Sequence, residues 1–206
     1  MHHKPSCKYY IEEDPLITLT FEDMLQVGNI AKKAGETIMK IYQKDFEIKF
    51  KEDQSPLTEA DLASHRFIND KLINLFPNVP ILSEESAGDF KITNENDCFW
   101  CVDPLDGTKE FIKKNDEFTV NIALIKNKKS VFGAISVPAK NMLYVALKDN
   151  GAYKQKANAD LQMIKVKSQN PKNLIFAVSR SHLGKQTKKI IDDHQGEVYA
   201  ESEKGK

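Results

Sequence analysis

An α+β fold, with layered helices against a largely antiparallel sheet, follows from three features of the sequence. Two early segments carry apolar residues at helical spacing. Short apolar segments then alternate with polar turns from about residue 99 to 153. Asp149-Asn150-Gly151 places a strong hairpin turn before the last of them. Helices first and strands afterwards is the pattern of helices packed on one sheet.

The elements can be justified in order. Residues 1–19 read as an irregular leader. Thr20 caps a first helix with Glu22 and Asp23 in its first turn, and Met24, Val27, Ala31, Ala34, Ile38 and Ile41 form its apolar stripe. Phe46, Ile48 and Phe50 alternate with Glu47 and Lys49 as a short strand, followed by a polar loop from Lys51 to Pro56. Thr58 caps a second helix, with Leu62, Phe67, Ile68, Leu72 and Leu75 as its stripe and Pro77 as its stop. Val79 to Leu82 reads as a strand leading into Ser83-Glu84-Glu85-Ser86, and residues 88–97 as a polar connection. Phe99 to Val102 is a further strand, with Trp100 in the core, and Phe111 to Glu117 a charged loop. Strands follow at Phe118–Ile125, Ser130–Val137 and Met142–Leu147, and the return strand begins at Ala152-Tyr153.

Composition turns polar near Gln155–Asp160, which sets a domain boundary: 20–156 as a first domain and 157–206 as a partial second one. Strands at Ile164–Val166, Leu174–Val178 and Val198–Ala200, and a helix at Thr187–Asp193, belong to the second. The tail from Glu201 to Lys206 has nothing to pack.

Bulk properties exclude several classes. Thirty basic and thirty acidic residues give zero net charge, so no global field favours nucleic acid or an anionic membrane. No apolar run approaches the roughly 20 residues of a membrane span. Residues 1–10 hold no apolar core of a secretory signal. Three cysteines argue against a disulfide scaffold and suit a reducing cytoplasm. Cys98 and Cys101 form an isolated C-x-x-C on a strand, which reads as buried thiols rather than a zinc or redox site.

The chemistry concentrates in three acidic segments: Asp61 at a helix start, Glu84-Glu85 at a strand end, and Asp103 and Asp106 in the run Trp100 to Thr108. Any one could be a solvated loop acid. Together, at points where side chains aim inward, they form a set of mutually repelling carboxylates that a hard divalent cation would neutralise. Asp103 would bridge two cations, with Glu84 on one, Asp106 on the other and the Leu105 carbonyl as a further oxygen. Glu84 and the Thr108 hydroxyl would orient a water toward phosphorus. Backbone N–H groups at Gly107, Thr108 and Lys109 could hold phosphate oxygens. Lys51 and Lys109 could neutralise a second phosphate or simply lie on the surface. Ser179-Arg180-Ser181-His182 could cradle a phosphate or be a polar turn.

These stretches resemble the lithium-sensitive, Mg²⁺-dependent phosphomonoesterases of the inositol monophosphatase superfamily. The resemblance is carried by Lys51 to Asp61, Val79 to Glu85 and Trp100 to Thr108, and covers about residues 20–185. The continuation Lys109-Glu-Phe-Ile through Ile125 is similar to the bacterial CysQ-type branch of 3'(2'),5'-bisphosphate nucleotidases. The resemblance implies the sugar-phosphatase fold with a second α/β domain. It implies Mg²⁺, two or three per site, held by Glu84, Asp103, the Leu105 carbonyl and Asp106, with Asp61 aiding a third cation or the water. It implies Thr108 as activator of that water. The implied substrate is a small nucleotide bisphosphate, adenosine 3',5'-bisphosphate, cleaved to AMP and phosphate, with Ser179 to His182 near its nucleotide side. The alternatives are an inositol or sugar phosphate monoesterase, and an inactive metal- or phosphate-binding regulator. Neither DNA, RNA nor a membrane is an expected partner, and nothing in the sequence fixes an oligomeric state.

One family feature has no match. A Trp-Asp-x-x-Ala motif supplies the family's further metal-binding aspartate, whereas Trp100 is the sole tryptophan here. The chain leaves the family pattern after about Tyr199, so the sequence-based expectation is an incomplete second domain and reduced turnover.

Overall fold

The structure, a computed structural model, describes residues 18–44, 46, 48–50, 56–89, 98–166, 175–178, 184–193 and 197–199. It divides into two units, one running to Ile164 and one starting at Lys165.

Helix α1 spans Phe21–Tyr42 and starts where the sequence predicts. The Thr20 hydroxyl accepts from the Asp23 N–H, and the Asp23 carboxylate accepts from the Thr20 N–H, a reciprocal capping box. Its buried stripe includes Met24, Val27, Ala31, Ala34 and Ile38, with Tyr42 in place of the expected Ile41, which is only partly covered. Strands β1 (Ile48–Phe50) and β2 (Pro56–Thr58) pair antiparallel and deliver the chain to helix α2, Glu59–Leu75.

Helix α2 keeps Ile68 and Leu72 of the expected stripe inward, but its buried face is rotated toward small and polar residues. Ala60, Asp61, Ser64, Ile68 and Leu72 are inward, whereas Leu62 and Phe67 are half-buried and Leu75 is exposed. Small side chains explain the rotation. Ala60 and Ser64 let the helix approach the sheet closely enough for the Ser64 hydroxyl to donate to the Pro104 carbonyl at 2.8 Å.

The main sheet runs in chain order: β3 (Ile81–Ser83), β4 (Cys98–Asp106), β5 (Thr119–Lys126), β6 (Lys129–Val137), β7 (Met142–Leu147), β8 (Gly151–Lys156) and β9 (Gln162–Ile164). The β3–β4 pair is parallel and the others antiparallel, so the sheet is mixed. A 3₁₀ turn over Glu84–Asp89 follows β3, and the short helix α3, Thr108–Ile112, follows β4. Where the sequence suggests a charged loop from Phe111, that side chain is instead fully buried, its ring 4.8–5.3 Å from those of Tyr42, Phe46 and Phe118.

Alternation sets the core. Trp100 and Val102, Val120, Ile122 and Leu124, Phe132 and Ala134, and Leu143 and Val145 all lie inward, in a single core with the apolar faces of α1 and α2. The helices approach this face, α1 over β5 to β7 and α2 over β4. At Gly28 an added Cβ would meet Val145 Cγ1 at 2.8 Å, so glycine permits the close helix–sheet approach. Cys101 points the other way and is exposed, against the expectation of a buried thiol, while Cys98 is half-buried. Three positions apart on a strand, the two side chains leave opposite faces.

The strand expected at Ile164–Val166 lies instead at Gln162–Ile164, where it pairs with β8 and extends the first sheet. The described residues of the second unit form a β–α–β segment: β10 (Ile175–Ala177), α4 (Lys185–Asp193) and β11 (Glu197–Tyr199), with β10 and β11 parallel. The expected leader up to residue 17, Lys51, most of the 88–97 connection and Ser179 to His182 lie outside the described residues. None of the described helices is long and apolar enough to cross a membrane.

Candidate functional site

Asp61 is the N3 residue of α2. It caps the helix with one oxygen: Oδ2 accepts from the Thr58 N–H at 2.8 Å and from the Thr58 hydroxyl at 2.6 Å. The other oxygen, Oδ1, accepts from the Thr108 hydroxyl at 3.2 Å. Asp61 is only 2% exposed. Burial pushes its carboxyl above the ordinary range, and the hydrogen bonds from Thr58 and Thr108 oppose that rise without cancelling it.

The Asp103–Asp106 run owes its shape to a bulge. Asp103 stands opposite Asn121 and Asp106 opposite Thr119, so β4 takes one residue more than β5 across this interval. Pro104 falls inside it, where a residue without an N–H breaks the ladder at least cost. The slack brings the Leu105 N–H to Asp103 Oδ1 at 3.2 Å. The Leu105 carbonyl faces Thr108, whose hydroxyl lies 3.3 Å away. Gly107 then turns the chain at φ +95°, and an added Cβ would strike the Glu117 carbonyl at 2.8 Å. Only glycine satisfies both constraints.

Asp103 is the electrostatic centre. Burial comes first, then the negative charges of Glu84 and Asp106 and a hydrogen bond shared with Glu84; together they push its carboxyl up to about 7. The Leu105 N–H pulls the other way and is outweighed. Three acids, Glu84, Asp103 and Asp106, thus crowd one another at the end of β4. Hard oxygen donors that need a positive charge between them fit a divalent cation. Among the described residues, no three His, Cys, Asp or Glu side chains close into a finished metal cage. The fit to Mg²⁺ therefore rests on the crowding of these hard oxygen donors.

The structure thus brings Asp61, Leu105 and Thr108 together through hydrogen bonds, and Glu84, Asp103 and Asp106 through charge. Lys109 is exposed on α3. Gly107 is the N-cap of α3, and no side chain caps the helix there.

Sequence reasoning missed four supporting residues. Ser64, one turn along α2 from Asp61, ties the helix to the bulge. His65 contacts the buried Ser83 hydroxyl through Nδ1 at 2.8 Å, and Asn69 contacts its Nε2 at 3.1 Å. This ring spans from α2 to the residue before Glu84, and burial lowers its basicity. Asn121 donates through Nδ2 to Asp106 Oδ2 at 3.0 Å. The three- and four-residue spacing from Asp61 was a signal for Ser64 and His65. Asn121 had none, because its role depends on strand register.

A mixed sheet backed by two helices, with carboxylates gathered at a strand bulge and a capped helix start, defines a class. The inositol monophosphatase family model matches residues 22–203 of 206, and the chain belongs to that family. Among its relatives is the 3'(2'),5'-bisphosphate nucleotidase CysQ of Escherichia coli (strain K12), 41% identical over 175 residues, which cover 82% of this chain and 70% of that protein. The enzyme of the same name from Salmonella typhimurium (strain LT2) is 42% identical over 159 residues, covering 76% of this chain and 63% of that protein. Among solved structures, CysQ from Bacteroides thetaiotaomicron, a bacterial member of the inositol monophosphatase family, superposes with a TM-score of 0.67 at 34% identity. That match covers 88% of this chain and 73% of the other. The extragenic suppressor protein suhB of Bartonella henselae shares the fold, with a TM-score of 0.69 at 23% identity over 85% of this chain and 69% of its own.

Proposed function

We propose that this chain is a Mg²⁺-dependent 3'(2'),5'-bisphosphate nucleotidase that hydrolyses adenosine 3',5'-bisphosphate to AMP and phosphate. The relatives named for that activity support the reaction class. The observation that carries the reading is the Asp103 carboxyl, held beside Glu84 and Asp106 and pushed up to about 7. Glu84, Asp103, Asp106 and the Leu105 carbonyl are the oxygens that would hold the cations. When bound, Mg²⁺ supplies Lewis-acid neutralisation of charge on the phosphate.

The chain's own residues account for the proton. The Thr108 hydroxyl has one hydrogen and two acceptors, Asp61 Oδ1 at 3.2 Å and the Leu105 carbonyl at 3.3 Å. A carboxylate is the stronger acceptor, so the hydrogen points to Asp61 and the Leu105 oxygen stays available as a ligand. The lone pairs of Thr108 Oγ1 then face the site. As an attacking water forms its bond to phosphorus, Thr108 accepts the water proton and passes its own to Asp61. Burial raises the proton affinity of Asp61, which suits it to receive that proton. The bond from phosphorus to the ribose 3' oxygen breaks, and that oxygen leaves with a proton from solvent. The backbone N–H groups of Gly107, Thr108 and Lys109 would hold the phosphate oxygens.

Phosphate release from adenosine 3',5'-bisphosphate and from inositol 1-phosphate, each with and without Mg²⁺, tests the reading. The expected result is Mg²⁺-dependent release, faster from the nucleotide. A clear preference for inositol 1-phosphate would replace the nucleotidase with an inositol phosphate monoesterase. No release from either would make the chain a non-catalytic binder.

A further inference from the structure

The geometry points to Asn121 as the positioning residue for the Asp106 carboxylate, and through it for the cation that Asp106 would hold. This inference rests on the reading of Asp106 as a cation ligand. Across the β4 bulge, Asn121 stands opposite Asp103 yet reaches past it to Asp106, donating through Nδ2 to Oδ2 at 3.0 Å. A carboxylate oxygen can only accept, so the contact fixes the amide orientation: NH₂ toward Asp106, carbonyl away. One Asp106 oxygen is thereby tied to the sheet. The other is left for an incoming partner.

Three features separate this from an ordinary cross-strand contact. First, the Asn121 Oδ1 atom is buried and has no hydrogen-bond partner among the described residues. A buried acceptor left unpaired carries a desolvation cost, so the residue is ill-chosen for stability alone. Second, the isosteric aspartate is unsuitable. It would add a further negative charge opposite Asp103, where Glu84 and Asp106 already stand close. Third, Asp106 is exposed at the end of β4, where a side chain without an anchor would sample several rotamers. An asparagine is neutral, donates to the carboxylate and has the reach to cross the bulge. Losing a partner that holds a ligating carboxylate typically costs roughly 10–100-fold in metal affinity.

The test uses the full chain and MgCl₂ as the probe, reading the Mg²⁺ concentration at half-maximal thermal stabilisation without substrate. In Asn121→Ala this midpoint should rise about tenfold, the lower end of what loss of such a partner costs. The metal-free melting temperature should stay at or above the wild-type value, because the unpaired acceptor is removed with the donor. Phosphate release should fall at limiting Mg²⁺ and recover at saturating Mg²⁺. A midpoint equal to wild type overturns the inference, whatever happens to the melting temperature. If Asn121→Ala does not fold, Asn121→Leu keeps the shape, stays neutral and cannot donate, and it is read the same way: a raised midpoint supports the inference, and an unchanged one overturns it. Absence of any Mg²⁺ response in the wild type removes the cation reading of Asp106 and this inference with it. A wild-type response that Asn121 variants share unchanged removes this inference alone.

Discussion

Helices α1 and α2 begin with the same device and put it to different use. Thr20 with Asp23, and Thr58 with Asp61, form capping boxes with matching distances: 2.8 Å from the threonine N–H and 2.6 Å from its hydroxyl to the Asp Oδ2. Asp23 lies near the surface and stops there. Asp61 is 2% exposed, and Thr108 reaches its second oxygen. A cap becomes a functional carboxylate when burial raises its proton affinity and a third partner arrives from another strand's end. The shared motif holds the side chain still, and the surroundings decide what it does.

Breaking the two caps in parallel sharpens that contrast. Asp61→Asn should lower kcat by about a thousandfold, within the range for loss of a general base, while leaving a helix-capping oxygen in place. Asp23→Asn should leave kcat at wild-type level and lower stability slightly. Next in size, Thr108→Val should cost about a hundredfold in kcat, because Asp61 stays buried but loses its relay to the water. Initial rates at saturating Mg²⁺ measure all three.

A pH series separates the buried site from the surface cap through stability. The Asp103 carboxyl is raised in the folded state from an ordinary 3.8 to about 7, so its contribution is fully present below 3.8 and is lost as pH rises toward 7. Burial moves Asp61 in the same direction. A bound cation would compete with the proton on Asp103. The gap in melting temperature between Mg²⁺-loaded and EDTA-treated protein should therefore widen as pH rises from about 5 to 8. A gap that is constant or narrows across that range contradicts the assignment.

The smallest effects compare the threonines. Thr20→Ala and Thr58→Ala should each cost about 1 kcal/mol of stability by denaturant unfolding. Only Thr58→Ala should also lower kcat, since it frees the oxygen that fixes Asp61.

How much of this was legible in the sequence follows the same division. Both caps were readable, because a threonine followed by an acid three residues later is a local signal. So were the strands β5 to β7 and the acids themselves, since alternation and turn residues act over short range. Three things were not. The rotation of α2 depends on Ala60 and Ser64 meeting the sheet, which no periodicity of large residues reports. The burial of Phe111 depends on the rings of Tyr42, Phe46 and Phe118, so a charged neighbourhood misled. The link from Asn121 to Asp106 depends on a bulge that shifts register by one residue. Each is set by tertiary placement rather than by local preference.

The acids crowded around Asp103 would form a cation site. Calorimetric titration of Mg²⁺ into the wild type and Asp103→Asn is the sharpest test. Saturable binding in the wild type, lost in Asp103→Asn although the variant still folds, is the expected result. Equal binding by both proteins, or none by the wild type, would contradict it.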